Sequence, residues 1–434
     1  MQTTFRGSRW IALAVTSGFL GCGTGAPDNS ANLSPLPPVI TPASTTTYAG
    51  VDNPGYYSVI LDDVQKQFSY QAITFPAAAQ AGYFNETDGV MNFGNTSGAQ
   101  RGLAVEQPGS AGVLRPGDVT AFPVPLVAQS DCFAIIGRLR YIYLTMGPHA
   151  ASGTADESSL TPAYGTFTTS TSTDGKSWTF GDNHGYQIPY YGAGSAQTEN
   201  GTDPLTYAAT CASSNGVGTI AANPSAVFVT PQDSPASNPT FHFNPNGLFV
   251  EDRSPTQAPA MTRSALYGEI GMAVPNFPIS TTDLATGTYR GLVYEFDPSS
   301  DSRTHAVSFT PPTDKSSTLA GGMYANDNLT QTPATTYTIT LGTQDAALNG
   351  LFTSAQLSVL DPNGVCPRVA QDAGTAPFIK AGFNPSGSPV CLSRGVAIAS
   401  KIAGKYVIYF SSYDASNSGS ADVTQLIQFY LYQQ

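Results

Sequence analysis

Four histidines, His149, His184, His242 and His305, are the only imidazoles in 434 residues, so acid–base chemistry near neutral pH has few centres to draw on. His184 is the one placed for ligand contact. It sits in Gly181-Asp-Asn-His-Gly185, which reads as a polar loop after a strand, and Tyr186, Tyr190 and Tyr191 follow it closely. Exposed Tyr rings stack on sugars and anchor protein partners at modest entropic cost. His184, Tyr186, Tyr190 and Tyr191 therefore form the candidate ligand-binding set. The adjacent acids Asp62-Asp63 and Glu251-Asp252 have the residue types of a glycoside-cleaving pair. Neighbours on a strand point to opposite faces, however, so neither pair is itself an acid–base dyad. The chain contains no G-x-S-x-G elbow, no H-E-x-x-H and no phosphate-cradling Walker loop. No catalytic residue is assigned, no cofactor or metal is expected, and the reading leans away from an enzyme.

Cysteine is the other reactive type. Apart from Cys22, the chain has Cys132, Cys211, Cys366 and Cys391, with no CxxC spacing. Zinc sites want clustered Cys and His. An even set in an exported protein reads instead as disulfides, and four cysteines permit three connectivities. Local loop closure favours Cys132–Cys211 with Cys366–Cys391, although sequence leaves the choice open.

Export is written into the N-terminus. Arg6 and Arg9 precede a short apolar run from Trp10 to Leu20, too short to span a bilayer, which takes about 20 residues. The run ends in Phe19-Leu-Gly-Cys22, which resembles the lipobox of bacterial lipoproteins, with Phe19 where that motif usually carries Leu. The resemblance implies cleavage before Cys22 and lipidation of Cys22. Gly23 in place of Asp implies, by the same resemblance to Gram-negative lipoproteins, sorting to the outer membrane. Gly, Pro, Ser, Thr and Asn dominate residues 23–50. The expected organisation is therefore a signal peptide (1–21), a lipidated tether (22–50) and a repeated all-β body (51–434).

The body must be built from strands. Only 11% of residues are charged, while Gly (43), Pro (33), Tyr (22) and Phe (22) are abundant, which excludes a coiled coil and argues against disorder. Eighteen basic residues against 30 acidic ones, a net charge of −12, disfavour nucleic acid as a partner. Short β-branched and aromatic runs recur between turn residues: Tyr57 to Leu61, Tyr141 to Leu144, Ala226 to Val229, Tyr337 to Thr340, Tyr406 to Phe410 and Gln425 to Leu431. The best helix candidate, Leu61 to Phe68, is too short to change that pattern.

Three phrases recur in the same order. The first is Gly102-Leu-Ala-Val-Glu106, Gly247-Leu-Phe-Val-Glu251 and Gly350-Leu-Phe352. The second is Gly137 to Leu144, Gly287 to Tyr294 and Gly404 to Tyr409. The third is Tyr164 to Thr168, His305 to Phe309 and Ile427 to Leu431. This threefold repeat predicts a β-propeller-like fold of about six blades near 80–120, 121–182, 216–252, 266–310, 319–360 and 394–434, with the hairpin Tyr57 to Phe75 closing the ring. Two tandem β-sandwich or lipocalin-like domains cut near residue 255 are the alternative.

Two further segments have family echoes. Ser172-Thr-Asp-Gly-Lys-Ser-Trp178 resembles the Asp-box turn of sialidase-type propellers, one residue short, and Asp174-Gly175 is equally a good hairpin turn. Asp414 to Asp422 loosely echoes a calcium loop but carries Gln425 where the closing acid belongs. The stretches Tyr337 to Ala346, Gly404 to Tyr409 and Tyr430 to Gln434 resemble exported β-propeller-like bacterial lipoproteins, which implies a location and an architecture but no reaction. The functional expectation is a membrane-anchored, non-enzymatic binding or envelope component that takes a glycan or protein ligand. A propeller-type hydrolase or lyase acting on extracellular carbohydrate is the alternative.

Overall fold

Strands that succeed one another in the chain pair as antiparallel hairpins, and this local rule generates almost the whole molecule. The computed structural model describes residues 45–52, 55–73, 78–94, 100–129, 140–146, 163–171, 177–188, 199–203, 207–212, 217–220, 240–244, 246–252, 268–284, 287–296, 303–310, 318–360, 379–383, 389–415 and 423–434.

The first eight strands are β1 (Thr45–Asp52), β2 (Gly55–Asp62), β3 (Gln67–Ala72), β4 (Gln80–Thr87), β5 (Val90–Gly94), β6 (Gln100–Gln107), β7 (Ala111–Pro116) and β8 (Val124–Ala128). They form a closed barrel in sequence order, because β8 returns to pair with β1 through Tyr48↔Ala128 and Gly50↔Leu126. β1 begins at Thr45, inside the segment expected as tether.

The second sheet contains β9 (Arg140–Thr145), β10 (Ala163–Thr171), β11 (Ser177–Gln187), β12 (Glu199–Asp203), β13 (Tyr207–Ala212), β14 (Val217–Ile220), β15 (Thr240–Phe243), β16 (Leu248–Asp252) and β17 (Glu269–Ala273). Its order is β10-β9-β17-β16-β15-β14-β13-β11-β12, and an added β10–β11 pairing closes all but β12 into a ring. After the short helix α1 (Thr281–Leu284), the third sheet contains β18 (Tyr289–Phe296), β19 (Arg303–Thr310), β20 (Thr318–Tyr324), β21 (Thr335–Thr340), β22 (Leu351–Leu360), β23 (Ile379–Phe383), β24 (Pro389–Ile402), β25 (Lys405–Ala415) and β26 (Val423–Gln433). Here β18 pairs with β26, and β22 pairs with β24, so a ring closes again and β23 is left outside it.

The architecture is thus three closed β barrels, and the six-bladed propeller is corrected. A propeller keeps each blade as a separate sheet, whereas here pairing runs continuously round each ring and removes its edges. The expected blade 266–310 holds β17 of the second ring together with β18 and β19 of the third. The predicted opening hairpin exists as β2–β3 but pairs inside the first barrel. The alternative of tandem β domains fits, although the cut near 255 falls between β16 and β17 of one sheet. The recurring phrases do not mark equivalent places: β9 and β18 each open a sheet, while β25 is the penultimate strand of its own. Leu61 to Phe68 is a strand–turn–strand, not a helix.

Turn chemistry sets the registers. Asp88-Gly89 joins β4 to β5 with φ of 52° and 78°, and Ala403-Gly404 joins β24 to β25 with φ of 47° and 88°. Both are two-residue connections whose paired positive φ values match the right-handed twist of the flanking strands.

Alternation then divides the side chains. Inside the first barrel lie Tyr48, Val59, Leu61, Phe68, Phe84, Phe93, Leu114 and Leu126. Tyr141, Phe167, Phe243 and Phe249 pack ring to ring in the second, and Val293, Phe309, Tyr337, Ile408 and Phe429 fill the third. α1 sits against that third core through Leu284, and Tyr406 donates to Asp283 at 3.1 Å.

The outward faces of the three barrels meet in one further core. Ala49, Val51, Val105 and Val113 come from the first barrel, Ile142, Leu144, Val250 and Met272 from the second, and Leu292, Tyr294, Val396 and Tyr430 from the third. Strands beside this core are buried on both faces; every residue of β8 and β17 is buried. Each fully buried aliphatic contributes about 1.5–3 kcal/mol, which locks the barrels together. Side chains bond across all three joints: Gln107 Nε2 to the Tyr406 carbonyl (3.1 Å), Asn244 Nδ2 to the Ser110 carbonyl (2.6 Å) and Gln428 Nε2 to the Thr145 carbonyl (3.0 Å).

Candidate functional site

His184 does not lie in a loop. The segment 181–185 is part of β11, with His184 opposite Thr166 on β10 and Thr202 on β12. The period of two puts His184 and Tyr186 on one face of that strand, whereas Asp182, with φ of 51°, lies at a β-bulge opposite Thr166–Thr168 where the alternation is broken. The carboxylate of Asp182, 56% exposed, stands 3.1 Å from His184 Nε2. The His184 ring lies nearly parallel to that of Tyr186, at 11° with 6.4 Å between centroids, and Tyr186 stacks in turn on the buried Tyr164 at 5.2 Å. Because Tyr164 belongs to the shared core, the outer rings are mounted on a rigid base. The row runs from exposed acid to half-buried phenol and offers a hydrogen-bonding group beside two flat faces.

Tyr190, Tyr191, Cys22, Cys132 and Cys366 lie outside the described residues, as do Asp174 and Gly175. β10 and β11 pair as far as Thr171↔Trp178, as a hairpin reading of 172–178 requires. Cys211 lies in β13 opposite Gly218, and Cys391 lies in β24 opposite Val359 and Lys380. Asp414 is in β25, and most of the calcium-like segment after it lies outside the described residues. Among the described residues no group of three or more His, Cys, Asp or Glu could hold a metal ion.

Asp62 caps its turn by accepting from the N–H groups of Val64 (3.0 Å) and Gln65 (2.9 Å), whereas Asp63 turns toward Glu106. Glu251 is fully buried, and its register partner on β17 is Glu269, also buried.

Three buried polar groupings escaped sequence reasoning. Tyr48 on β1 donates to Glu106 Oε2 on β6 at 2.6 Å, and the Gly109 N–H donates to the Tyr48 oxygen at 3.1 Å. Burial pushes the Glu106 carboxyl up to about 8; the Tyr48 hydrogen bond works against this, and the Asp63 carboxylate adds to it. Arg115 on β7 is fully buried and reaches from the first barrel into the third, where Nη1 donates to the Thr304 carbonyl (2.7 Å) and to Asp327 Oδ2 (2.8 Å). The other Asp327 oxygen accepts the Ala306 N–H at 2.8 Å, with His305 Nδ1 at 3.6 Å, beyond hydrogen-bond distance. Burial raises the Asp327 carboxyl, but His305, Arg115 and the Ala306 amide outweigh it and hold it below the usual carboxylate range. Lastly, His242 on β15 lies flat on Tyr56 of β2, at 3° and 4.6 Å, and burial pushes its imidazole down to about 4. In the sequence Glu106 is visible only as the end of a recurring phrase, and nothing local marks Arg115, whose partner is 212 residues away.

No family model and no curated protein sequence matches the chain. Among solved structures, isotype 1 transferrin binding protein B from serogroup B Neisseria meningitidis matches at 9% identity and a TM-score of 0.26, over 88% of this chain and 66% of that one, just under two thirds of its length. A Trp-176-Ala mutant of transferrin binding protein B from Haemophilus parasuis Hp5 matches at 9% identity and a TM-score of 0.22, over 90% of this chain and 76% of that one. A DUF3598-family protein from Nostoc punctiforme matches at 9% identity and a TM-score of 0.21, over 70% of this chain and 98% of that one. Superpositions this loose assign neither a family nor a ligand.

Proposed function

We propose that this chain is an exported, lipid-anchored protein of the outer membrane that binds a glycan without transforming it. The observation that carries the binding reading is the row Asp182, His184 and Tyr186 of β11, where two near-parallel rings stand beside an exposed carboxylate. Flat apolar faces next to a hydrogen-bonding group suit a pyranose, which presents C–H bonds on one face and hydroxyls at its rim. The interiors of the first and third barrels are packed with the chain's own side chains, which supports recognition at the outer surface. The propeller channel that the hydrolase reading needed is not formed. The anchoring half rests on Arg6, Arg9 and the Phe19 to Cys22 motif.

Each half has its own test. Labelled palmitate should enter the wild-type chain but not the Cys22→Ser variant, and that variant should leave the membrane fraction; its retention there overturns the anchor. On a glycan array, His184→Ala combined with Tyr186→Ala should weaken the bound features about tenfold or more, in keeping with about 1–3 kcal/mol of lost stacking and hydrogen bonding. An unchanged binding profile overturns the site.

A further inference from the structure

One end of the first barrel holds a buried acid that the binding reading does not use. Glu106 is 5% exposed, and only one of its two oxygens is satisfied, by the Tyr48 hydroxyl; Oε1 has no hydrogen-bond partner. The group facing Glu106 from the β2–β3 turn is another carboxyl, Asp63. The turn is held by Asp62, which caps the Val64 and Gln65 amides. Beyond it Lys66 pairs with Glu86 of β4 at 3.0 Å and lies over the Phe84 ring. The charged or titratable groups acting on Glu106 are thus Tyr48 from β1, Asp63 and Lys66 from the turn and Glu86 from β4, and the cation among them already has a partner.

Two carboxylates cannot both be ionised side by side where one is buried, because neither offers a donor to the other. One proton resolves the conflict: Glu106 Oε1 then donates to Asp63, every oxygen of Glu106 is satisfied, and the turn is tied to β6. We propose that Glu106 and Asp63 share a single proton and form a pH-responsive latch that holds the β2–β3 turn over the end of the first barrel. When the proton leaves, two like charges face each other and the turn is driven outward. The raised Glu106 carboxyl, at about 8, puts release on the mildly alkaline side of neutral. At acid and neutral pH the latch is closed.

Two measurements on the full chain test this. Carboxyl-labelled infrared spectra should show a protonated glutamic acid in the wild type at pH 6–7 that disappears through about pH 8; in Glu106→Gln that signal should be absent. Hydrogen exchange of the 64–68 amides, corrected for intrinsic rate, should rise about tenfold or more over the same interval in the wild type and stay flat in Glu106→Gln. Asp63→Asn, at a part-exposed position, keeps the comparison available if Glu106→Gln does not fold. The side-chain amide it introduces can donate to the Glu106 carboxylate, so the glutamic acid signal should vanish at a lower pH than in the wild type. A fully ionised Glu106 at pH 6–7, the same alkaline opening in Glu106→Gln, or an unmoved Glu106 titration in Asp63→Asn would each overturn the latch.

Discussion

Replacing Asp327 with Asn probes how the first and third barrels are joined. The change is nearly isosteric and keeps an oxygen for the Ala306 amide, which now bonds Oδ1 at 2.8 Å, but it removes the only carboxylate in contact with Arg115 among the described residues. The guanidinium stays where it is, with no exposed surface, and its Nε and Nη2 already lack partners. Stripping one member from a buried ion pair leaves an uncompensated charge and costs about 3–5 kcal/mol. Urea unfolding at pH 7 should therefore give Asp327→Asn a stability lower by that amount. Arg115→Met should also destabilise, but the double variant should recover most of the loss, since no buried charge remains; the cycle should return a coupling of about 2 kcal/mol or more. Salt should change little, because screening does not reach a buried pair. The Asp327 carboxyl is held below its ordinary range, so the contribution is present above the unfolded-state value near 4 and is lost as pH falls through the lowered folded-state value. A single-variant loss below about 1 kcal/mol, or strictly additive effects, would refute the assignment of this pair as the tie between barrels.

Two more outcomes concern buried groups. His242 stays neutral down to about 4 in the folded chain but takes a proton near 6.5 when unfolded, so stability should fall between pH 6.5 and 4, by about 3 kcal/mol in all, and level off below. His242→Phe keeps a flat ring on Tyr56 and should flatten this acid limb in pH-dependent urea titrations; an unchanged limb would exonerate His242. At Gly291 an added Cβ would stand 1.8 Å from the Tyr430 carbonyl oxygen on the paired strand β26. Gly291→Ala should thus force β18 from β26 and cost about 3 kcal/mol or more, seen as a lower thermal midpoint. A variant as stable as wild type would show that the β18–β26 contact gives way easily.

The strand readings from Tyr57 to Leu61, Tyr141 to Leu144 and Tyr406 to Phe410 hold in β2, β9 and β25, because β-branched and aromatic runs between turn residues have one favourable local outcome. Asp88-Gly89 and Ala403-Gly404 likewise carry their turns in their own residue types. The polar stretch around His184 reads as a loop because Gly, Asp and Asn are weak strand formers, and only pairing with β10 and β12 holds them extended. The row becomes visible once that stretch is a strand, for then His184 and Tyr186 share a face, and the bulge at Asp182 leaves its carboxylate 3.1 Å from His184.

Amino-acid order alone thus determined strand content, hairpin turns and scarcity of charge, all set by interactions within a few residues. Ring closure did not belong to that level. A threefold recurrence of strand phrases is compatible with blades or barrels, and the choice was made by β8 meeting β1, β17 meeting β9 and β26 meeting β18. The same holds for the polar groups: Glu106 meets Asp63 across 43 positions of numbering and Arg115 meets Asp327 across 212. Their ionisation is decided by burial and by neighbours that only the folded barrels supply, because desolvation has no counterpart in the extended chain.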